Sequence, residues 1–374
     1  MYLGNNIGVN IESIDKEDLF IAEYGGYLIS SKGGLGVTAH LKHLGYTTDN
    51  GKITLNNHSE SIETFYQIAS ATLKDLYPLY PSKTQQGVTI ALATGQNIPT
   101  NNRRTTSLAQ PRVCLPVFPG TNSELDTARA FSRHGALVSE SILCNRQQSD
   151  IQHSIEHFIT TLKQSQILAL SGGFSAGDEP DGSGKFIATF LREARVRESI
   201  EDFLARDGLI LGICNGFQAL IKCGLLPYGT FTSLKENDAT LTHNTLGRHL
   251  ARVATTVVAN NHSPWLRDFK IGQAHEVCLS HGEGRFLCGE KILETLINQG
   301  QIATQYANPN TNEPSMDARY NPNGSQLAIE GITSPNGHIF GKMGHSERHL
   351  KGLHRNYPNF RDQDIFLAGI QAFK

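Results

Sequence analysis

From Pro111 to Gly224, short apolar runs alternate with stretches of helical periodicity, and this alternation constrains the fold more than any other feature of the chain. The runs "RVCLPVF", "ALVSESILC", "QILALSGG" and "LILGIC" read as strands. Between them, "NSELDTARAFSRHG" (opened by Asn122, closed by Gly135), "HSIEHFITTLKQ", "KFIATFLREARVRESIEDFLARDG" and "NGFQALIKCG" read as helices, the third as one long helix. Strands and helices joined by short connections predict a doubly wound, mostly parallel α/β sheet with helices on both faces. Ligands in such sheets bind beyond the carboxyl ends of the strands. After Gly229 the alternation weakens. "HLARVATTVVA", "HEVCLSHGEGRFLCG", "QIATQYA" and "QLAIEGITSPNGHIFGKMGH" read as strands that add an antiparallel part and return a loop to the site.

The preceding sequence differs. Residues 1–85 carry apparent strands such as "LFIAEYGGYLISS" and "LGVTAHLKHLGY", then a helix in "SIETFYQIASATLKDLYPLY" that ends at Pro78, and predict a small α+β unit. Residues 86–110, within the polar stretch from Ser82 to Gln110, predict a linker lying along a surface, and residues 111–374 the main domain.

Composition excludes some partners. With a formal net charge of −2 and 18% charged residues, the chain has no broad footprint for nucleic acid or an anionic membrane. No apolar run is long enough to span a bilayer, and the amino terminus lacks the pattern of a secretory signal, so a cytoplasmic chain is expected. Its six cysteines are scattered without zinc-type spacing, which predicts free thiols and no metal site.

Gly212-Ile213-Cys214-Asn215-Gly216 has the form G-x-C-x-G between a predicted strand and helix. Small residues two before and two after the centre allow the tight turn of a nucleophile elbow, which exposes the central side chain. The following helix offers backbone N–H groups and a positive dipole end to an anion formed there. A cysteine that merely fills the core is the competing reading. A nucleophile needs a base, and "GKMGHSERH" supplies His345 and Glu347 two positions apart, on one face of an extended segment. Among 15 histidines, a lone His345 would more often be a surface or packing residue. Gly172 and Gly173 end a predicted strand in a glycine-rich loop suited to an oxyanion hole. A phosphate cradle competes, although Gly184-Lys185 is followed by Phe186 and so is not a P-loop. "SHGEGRF", Ser280 to Phe286, is compatible with a binding loop or a simple hairpin.

Together these motifs resemble the class I (triad) glutamine amidotransferases, and more closely the glutaminase domain of the phosphoribosylformylglycinamidine synthases of purine biosynthesis. The stretches that carry the resemblance are "PGTNSELDTARAF", "SGGFSAGDEPDGSGKF", "GICNGFQALIKCGLLPYG", "LTHNTLGRHLARV", "SHGEGRF" and "GKMGHSERH", in the family's order over most of residues 111–350. The resemblance implies a flavodoxin-like fold in which Cys214 attacks the glutamine carboxamide, His345 acts as base then acid, and Glu347 orients it. It implies an oxyanion hole from the N–H groups of Gly173 and Asn215, and glutamine contacts from Gln218 and the backbone around His281 and Gly282. Two positions depart from the family pattern. Ser123 stands where a cysteine is common, and Ser346 replaces the usual proline after the histidine, which is expected to loosen that turn.

Residues 17–85 more weakly resemble the tail of the family's second ATP-binding-type synthase domain, so the chain looks like a carboxy-terminal part of a larger enzyme. The implied partners are glutamine and the synthase domains. No cofactor is implied in this chain, ATP and Mg2+ being expected only in the synthase part. The glycine-rich loop from Gly172 to Gly184 is expected to align fully only when the synthase is occupied. A stand-alone cysteine hydrolase or peptidase on the same scaffold is one alternative, against which Gln218 and the His345-x-Glu347 pair argue. A non-catalytic binding remnant is the other.

Overall fold

A computed structural model describes residues 7–12, 14–15, 17–21, 24–33, 41–81, 87–95, 107–177, 184–355, 357 and 360–374. The chain divides into two compact units, Met1–Leu79 with Arg355–Pro358 and Tyr80–His354 with Asn359–Lys374.

The first unit is a four-stranded sheet and one helix: β1 (Gly8–Ile11), β2 (Gly45–Thr48), β3 (Lys52–Leu55), β4 (His58–Ser61) and α1 (Ile62–Ala71). The strand order is β2-β1-β3-β4, with β1 and β3 parallel and the other pairs antiparallel. Ser61 caps α1, its Oγ accepting the Thr64 N–H at 3.0 Å. The helix stops at Ala71, short of the expected end at Pro78, and Leu73 and Leu76 beyond it are exposed. A short helix depends on tertiary packing of its apolar face, which those two residues lack. The expected strand in "LFIAEYGGYLISS" is also absent among the described residues. A single turn at Asp18–Phe20 is present, and Phe20, Tyr24 and Tyr27 are exposed. Of "LGVTAHLKHLGY", residues 35–40 lie outside the described residues, and its end enters β2.

The second unit contains β5 (Arg112–Val117), α2 (Glu124–Ser132), β6 (Leu137–Ile142), α3 (Gln148–Lys163), β7 (Ile167–Leu170), α4 (Lys185–Leu191), α5 (Ala194–Ala205), β8 (Leu209–Ile213) and α6 (Asn215–Cys223). It continues with β9 (Thr240–His243), β10 (Leu250–Val258), β11 (Ala274–His281), β12 (Glu283–Leu287), α7 (Glu290–Asn298), β13 (Ile302–Tyr306), β14 (Ile329–Thr333), β15 (Ile339–Lys342) and α8 (Ile365–Gln371). Nine strands form one sheet in the order β11-β10-β13-β14-β15-β8-β7-β5-β6, while β9 and β12 pair separately. The five strands from β15 to β6 are parallel, and those from β11 to β15 pair antiparallel.

The chain leaves β5 for β6 on one side and returns past β5 to β7 on the other. With both crossovers right-handed, α2 and α3 cover opposite faces, and α2 packs with α8 while α3 packs with α5. Phe131 and Phe366 meet edge to face at 5.0 Å in the first layer; Phe118, Phe190 and Phe158 form a similar series at 5.4 and 5.2 Å in the second. The expected single long helix is broken into α4 and α5. Glu193 adopts an extended ψ of 136° and accepts the Val196 N–H at 2.9 Å, so it caps a new helix instead of continuing the old one.

Residues 87–95 run along this unit, Gly87 N–H donating to Asp317 Oδ2 at 2.9 Å and Ile90 N–H to the Pro314 carbonyl at 3.0 Å. Among the described residues, no helix is long and apolar enough to cross a membrane.

Candidate active site

Cys214 follows the last residue of β8 and precedes the first of α6, at φ 51° and ψ −104°. A non-glycine residue in that region carries strain, as a nucleophile elbow does. The flanking glycines make the turn possible. A Cβ at Gly216 would overlap the Leu170 carbonyl oxygen, and one at Gly212 would lie 2.9 Å from the Gly216 carbonyl carbon. The elbow is thus pressed against the end of β7.

There the chain forms the second wall. Gly173 has φ +149°, and a Cβ on it would meet the backbone of Thr121 and Asn122 at 2.7 and 2.8 Å. The segment before α2 clamps it, with the N–H groups of Asn122 and Ser123 donating to the Gly172 carbonyl at 3.3 Å and Phe174 N–H donating to the Gly120 carbonyl at 2.8 Å. The Asn215 side chain ties this wall to the elbow, its Oδ1 accepting the Ser175 N–H at 3.3 Å and its Nδ2 donating to Gln218 Oε1 at 3.0 Å. The Asn215 N–H lies in the first turn of α6, where intrahelical acceptors are lacking. The glycine-rich loop continues into residues 178–183, outside the described residues.

The third wall follows β15. His345 N–H donates to the Cys278 carbonyl of β11 at 2.8 Å, and Ser346–Arg348 form a 3-10 turn. The segment is therefore a turn and not the expected extended strand, and the histidine–glutamate pairing is made by the turn's curl. Nδ1 of His345 lies 2.5 Å from Glu347 Oε1, and both side chains are buried. His345 Nε2 is buried without a hydrogen-bond partner. A Cβ placed on Gly172 would sit 2.6 Å from His345 Cε1 and 3.4 Å from Cys214 Cβ, so imidazole and cysteine flank the same glycine. The thiol donates to the Ser280 carbonyl at a long 3.7 Å.

Burial disfavours the His345 cation, but the Glu347 carboxylate and Cys214 outweigh it and push its pKa up to about 9. Burial also opposes ionisation of Glu347, yet the facing His345 holds its carboxyl below the usual range. The pair is therefore ionic at neutral pH.

Gln218 commits one N–H to the Glu283 carbonyl at 2.5 Å and one lone pair to Asn215, leaving one N–H and one lone pair. The carbonyls of His281 and Gly282 both accept from Asn244, from its Nδ2 at 2.8 Å and its backbone N–H at 3.0 Å. Burial, followed by the charges of His345 and His249, pushes the His281 pKa down to about 3. Its Nδ1 donates to Asn244 Oδ1 at 3.1 Å, and its buried Nε2 is a bare acceptor. Cys223 is a packing residue, its thiol pushed up to about 12 by burial.

Sequence reasoning missed several groups. The Arg348 guanidinium donates to Ser123 Oγ at 3.0 Å, joining the histidine turn to the segment that clamps Gly172. Ser346 does not loosen its turn: Oγ accepts from Lys342 Nζ at 2.7 Å and donates to Gln363 Oε1 at 3.0 Å. A serine hydroxyl supplies there the fixation that a proline ring supplies by covalent restraint.

Residues 110–374 match the model of the CobB/CobQ-like glutamine amidotransferase domain family. The chain is similar to the phosphoribosylformylglycinamidine synthase subunit PurQ of Treponema denticola, 34% identical over 280 residues that cover 70% of this chain and 98% of that protein. It is also similar to the subunit of the same name from Methanococcus maripaludis, 34% identical over 246 residues that cover 65% of this chain and 84% of that protein. Among solved structures, PurLQS from Thermotoga maritima aligns with a TM-score of 0.51 at 24% identity, covering 71% of this chain and all of that chain, a likeness of fold.

Proposed function

The chain belongs to the family of CobB/CobQ-like glutamine amidotransferase domains through residues 110–374, and from that premise we propose that it is the glutaminase part of a phosphoribosylformylglycinamidine synthase, with Cys214 as its nucleophile. The observation that carries the site assignment is the meeting of Cys214 and the His345–Glu347 pair around Gly172. A peptidase or a binding remnant on this scaffold has no comparable support, since the relatives are synthase subunits.

In this reading His345 Nε2 holds the proton given up by the thiol before glutamine arrives, in keeping with its raised pKa, and Cys214 Sγ attacks the carboxamide carbon of glutamine. The tetrahedral oxyanion rests on the N–H groups of Gly173 and Asn215. His345 returns the proton to the departing nitrogen, so ammonia leaves and a γ-glutamyl thioester remains. Water then gives its proton to His345 Nε2 and adds to the thioester, and the intermediate expels the Cys214 sulfur and releases glutamate, with the proton kept on Nε2. Glu347 holds Nδ1–H throughout, which keeps Nε2 turned to the sulfur. Gln218, with the backbone around His281 and Gly282, holds the substrate. The ammonia is used in a synthase partner to form an amidine, where ATP and Mg2+ act, and the cytoplasm is the proposed setting.

Incubation with a glutamine analogue that alkylates the nucleophile, followed by mass spectrometry, tests the assignment. A single label at Cys214, lost in His345→Ala, is expected; labelling at another cysteine, or glutamate release unchanged in Cys214→Ala, overturns it.

A further inference from the structure

Lys342 and Glu330 are both fully buried and are not used by the chemistry above. Lys342 is the last residue of β15, three before His345, and Glu330 lies on the neighbouring β14. Lys342 Nζ approaches Glu330 Oε1 to 3.5 Å and donates to Ser346 Oγ at 2.7 Å. Glu330 Oε1 accepts the Gly344 N–H at 2.6 Å, and Oε2 accepts from Thr304 Oγ1 on β13 at 2.5 Å. The main chain adds the Met343 N–H, which donates to the Glu330 carbonyl at 3.2 Å. Gly344 and Ser346 are the two residues on either side of His345. One is gripped by the carboxylate and the other by the ammonium.

We propose that the Lys342–Glu330 pair is a positioning device for His345, holding Gly344 by its backbone N–H and Ser346 by its hydroxyl so that Nε2 stays directed at Cys214. A pair of this kind is a poor way to stabilise a fold, because removing two charges from water costs as much as their attraction returns, and an apolar pair of similar volume serves as well or better. Its neighbours on β15, Ile339 and Phe340, are buried and apolar, so nothing in the strand itself calls for a charge. What the pair supplies is directed hydrogen bonding to the flanks of one residue, whose ring must be held to within a fraction of an ångström for proton transfer. Lys342 and Glu330 reach His345 only through Gly344 and Ser346, so they are positioning residues and touch no reacting atom. The same network assigns a role to Ser346, whose hydroxyl is the link from the ammonium to the turn, with Gln363 as its acceptor on the far side.

The inference rests on His345 being the base. Three variants of the full chain test it: Lys342→Met; Lys342→Met with Glu330→Gln, which leaves no unpaired carboxylate behind; and Ser346→Ala, which deletes one hydroxyl. Each is measured in two ways, as kcat and KM for glutamine hydrolysis and, without substrate, as the 1H and 15N resonances of the His345 imidazole. In the folded variants kcat is expected to fall about ten- to a hundredfold with KM within about twofold, and the Nδ1–H resonance to shift or broaden. An unchanged kcat in the double variant and Ser346→Ala overturns the proposal, as does a loss confined to KM or an imidazole resonance identical to that of the unaltered chain. If the unaltered chain releases no glutamate and takes no label at Cys214 from the glutamine analogue, the proposed function fails, while the resonances still report whether the pair holds the ring.

Discussion

His345 Nδ1 and Glu347 Oε1 stand 2.5 Å apart with only Ser346 between them in the chain. The proposed base and its orienting carboxylate thus share one 3-10 turn, so a displacement of the turn moves them together. Their separation is local, whereas the distance from His345 to Cys214 depends on the sheet.

The pair gives a stability profile with a defined sign. The folded pKa of His345 is raised from 6.5 to about 9, so its contribution is full below 6.5 and is lost as pH rises through 9. Glu347 is held below 4.5, so its contribution is present above that value and is lost as pH falls through the folded one. Unfolding in urea should show Glu347→Gln most destabilised relative to the unaltered chain between pH 4.5 and 6.5. The difference should narrow above pH 9, and a gap independent of pH refutes the ion pair.

The two histidines of the site should separate by titration. With its pKa pushed to about 3, His281 is expected to stay neutral from pH 5 to 8, while His345 carries its proton through neutrality. Imidazole 15N shifts distinguish them. A His281 that titrates near 6.5 removes its role as a bare acceptor.

Strain at Cys214 should invert a familiar order. In ordinary positions glycine is less stable than alanine by about 0.5–1 kcal/mol. At φ 51° and ψ −104° the alanine variant retains the strain and the glycine variant sheds it, a relief of about 1–3 kcal/mol. Cys214→Gly should therefore unfold at higher urea than Cys214→Ala, with both variants unable to release glutamate. The opposite ranking means that the elbow is unstrained.

Gly173→Ala is expected to lower kcat about a hundredfold or more, because the new methyl meets the backbone of Thr121 and Asn122 and turns the proposed oxyanion donor away. Alkylation of Cys214 by a small haloacetamide, which develops no oxyanion, should persist. Retained glutamine turnover excludes Gly173 from the oxyanion hole.

The strand–helix series from Pro111 to Gly224 and the elbow were legible because period and glycine spacing are local properties. His345 and Glu347 were legible as a pair by their spacing, although the turn that joins them was not. The break at Glu193 escaped detection because apolar periodicity runs through it, and one side chain that caps outweighs it. Lys342, Glu330, Asn244 and the Arg348–Ser123 bond left no signal, since each acts through partners brought near only by the sheet. In residues 1–79 several of the apolar residues that suggested strands and a longer helix, among them Phe20, Tyr24, Tyr27, Leu73 and Leu76, are exposed.

Gly172, Cys214 and His345 follow the ends of β7, β8 and β15, three strands bonded side by side. Neighbouring strands are held about 4.8 Å apart by the hydrogen-bond lattice of any sheet. The site thus inherits a ruler that no loop sets: the proposed oxyanion wall, nucleophile and base are mounted on consecutive marks. Sequence drift in the connections can alter what enters the site, but it leaves the gauge between the working parts unchanged.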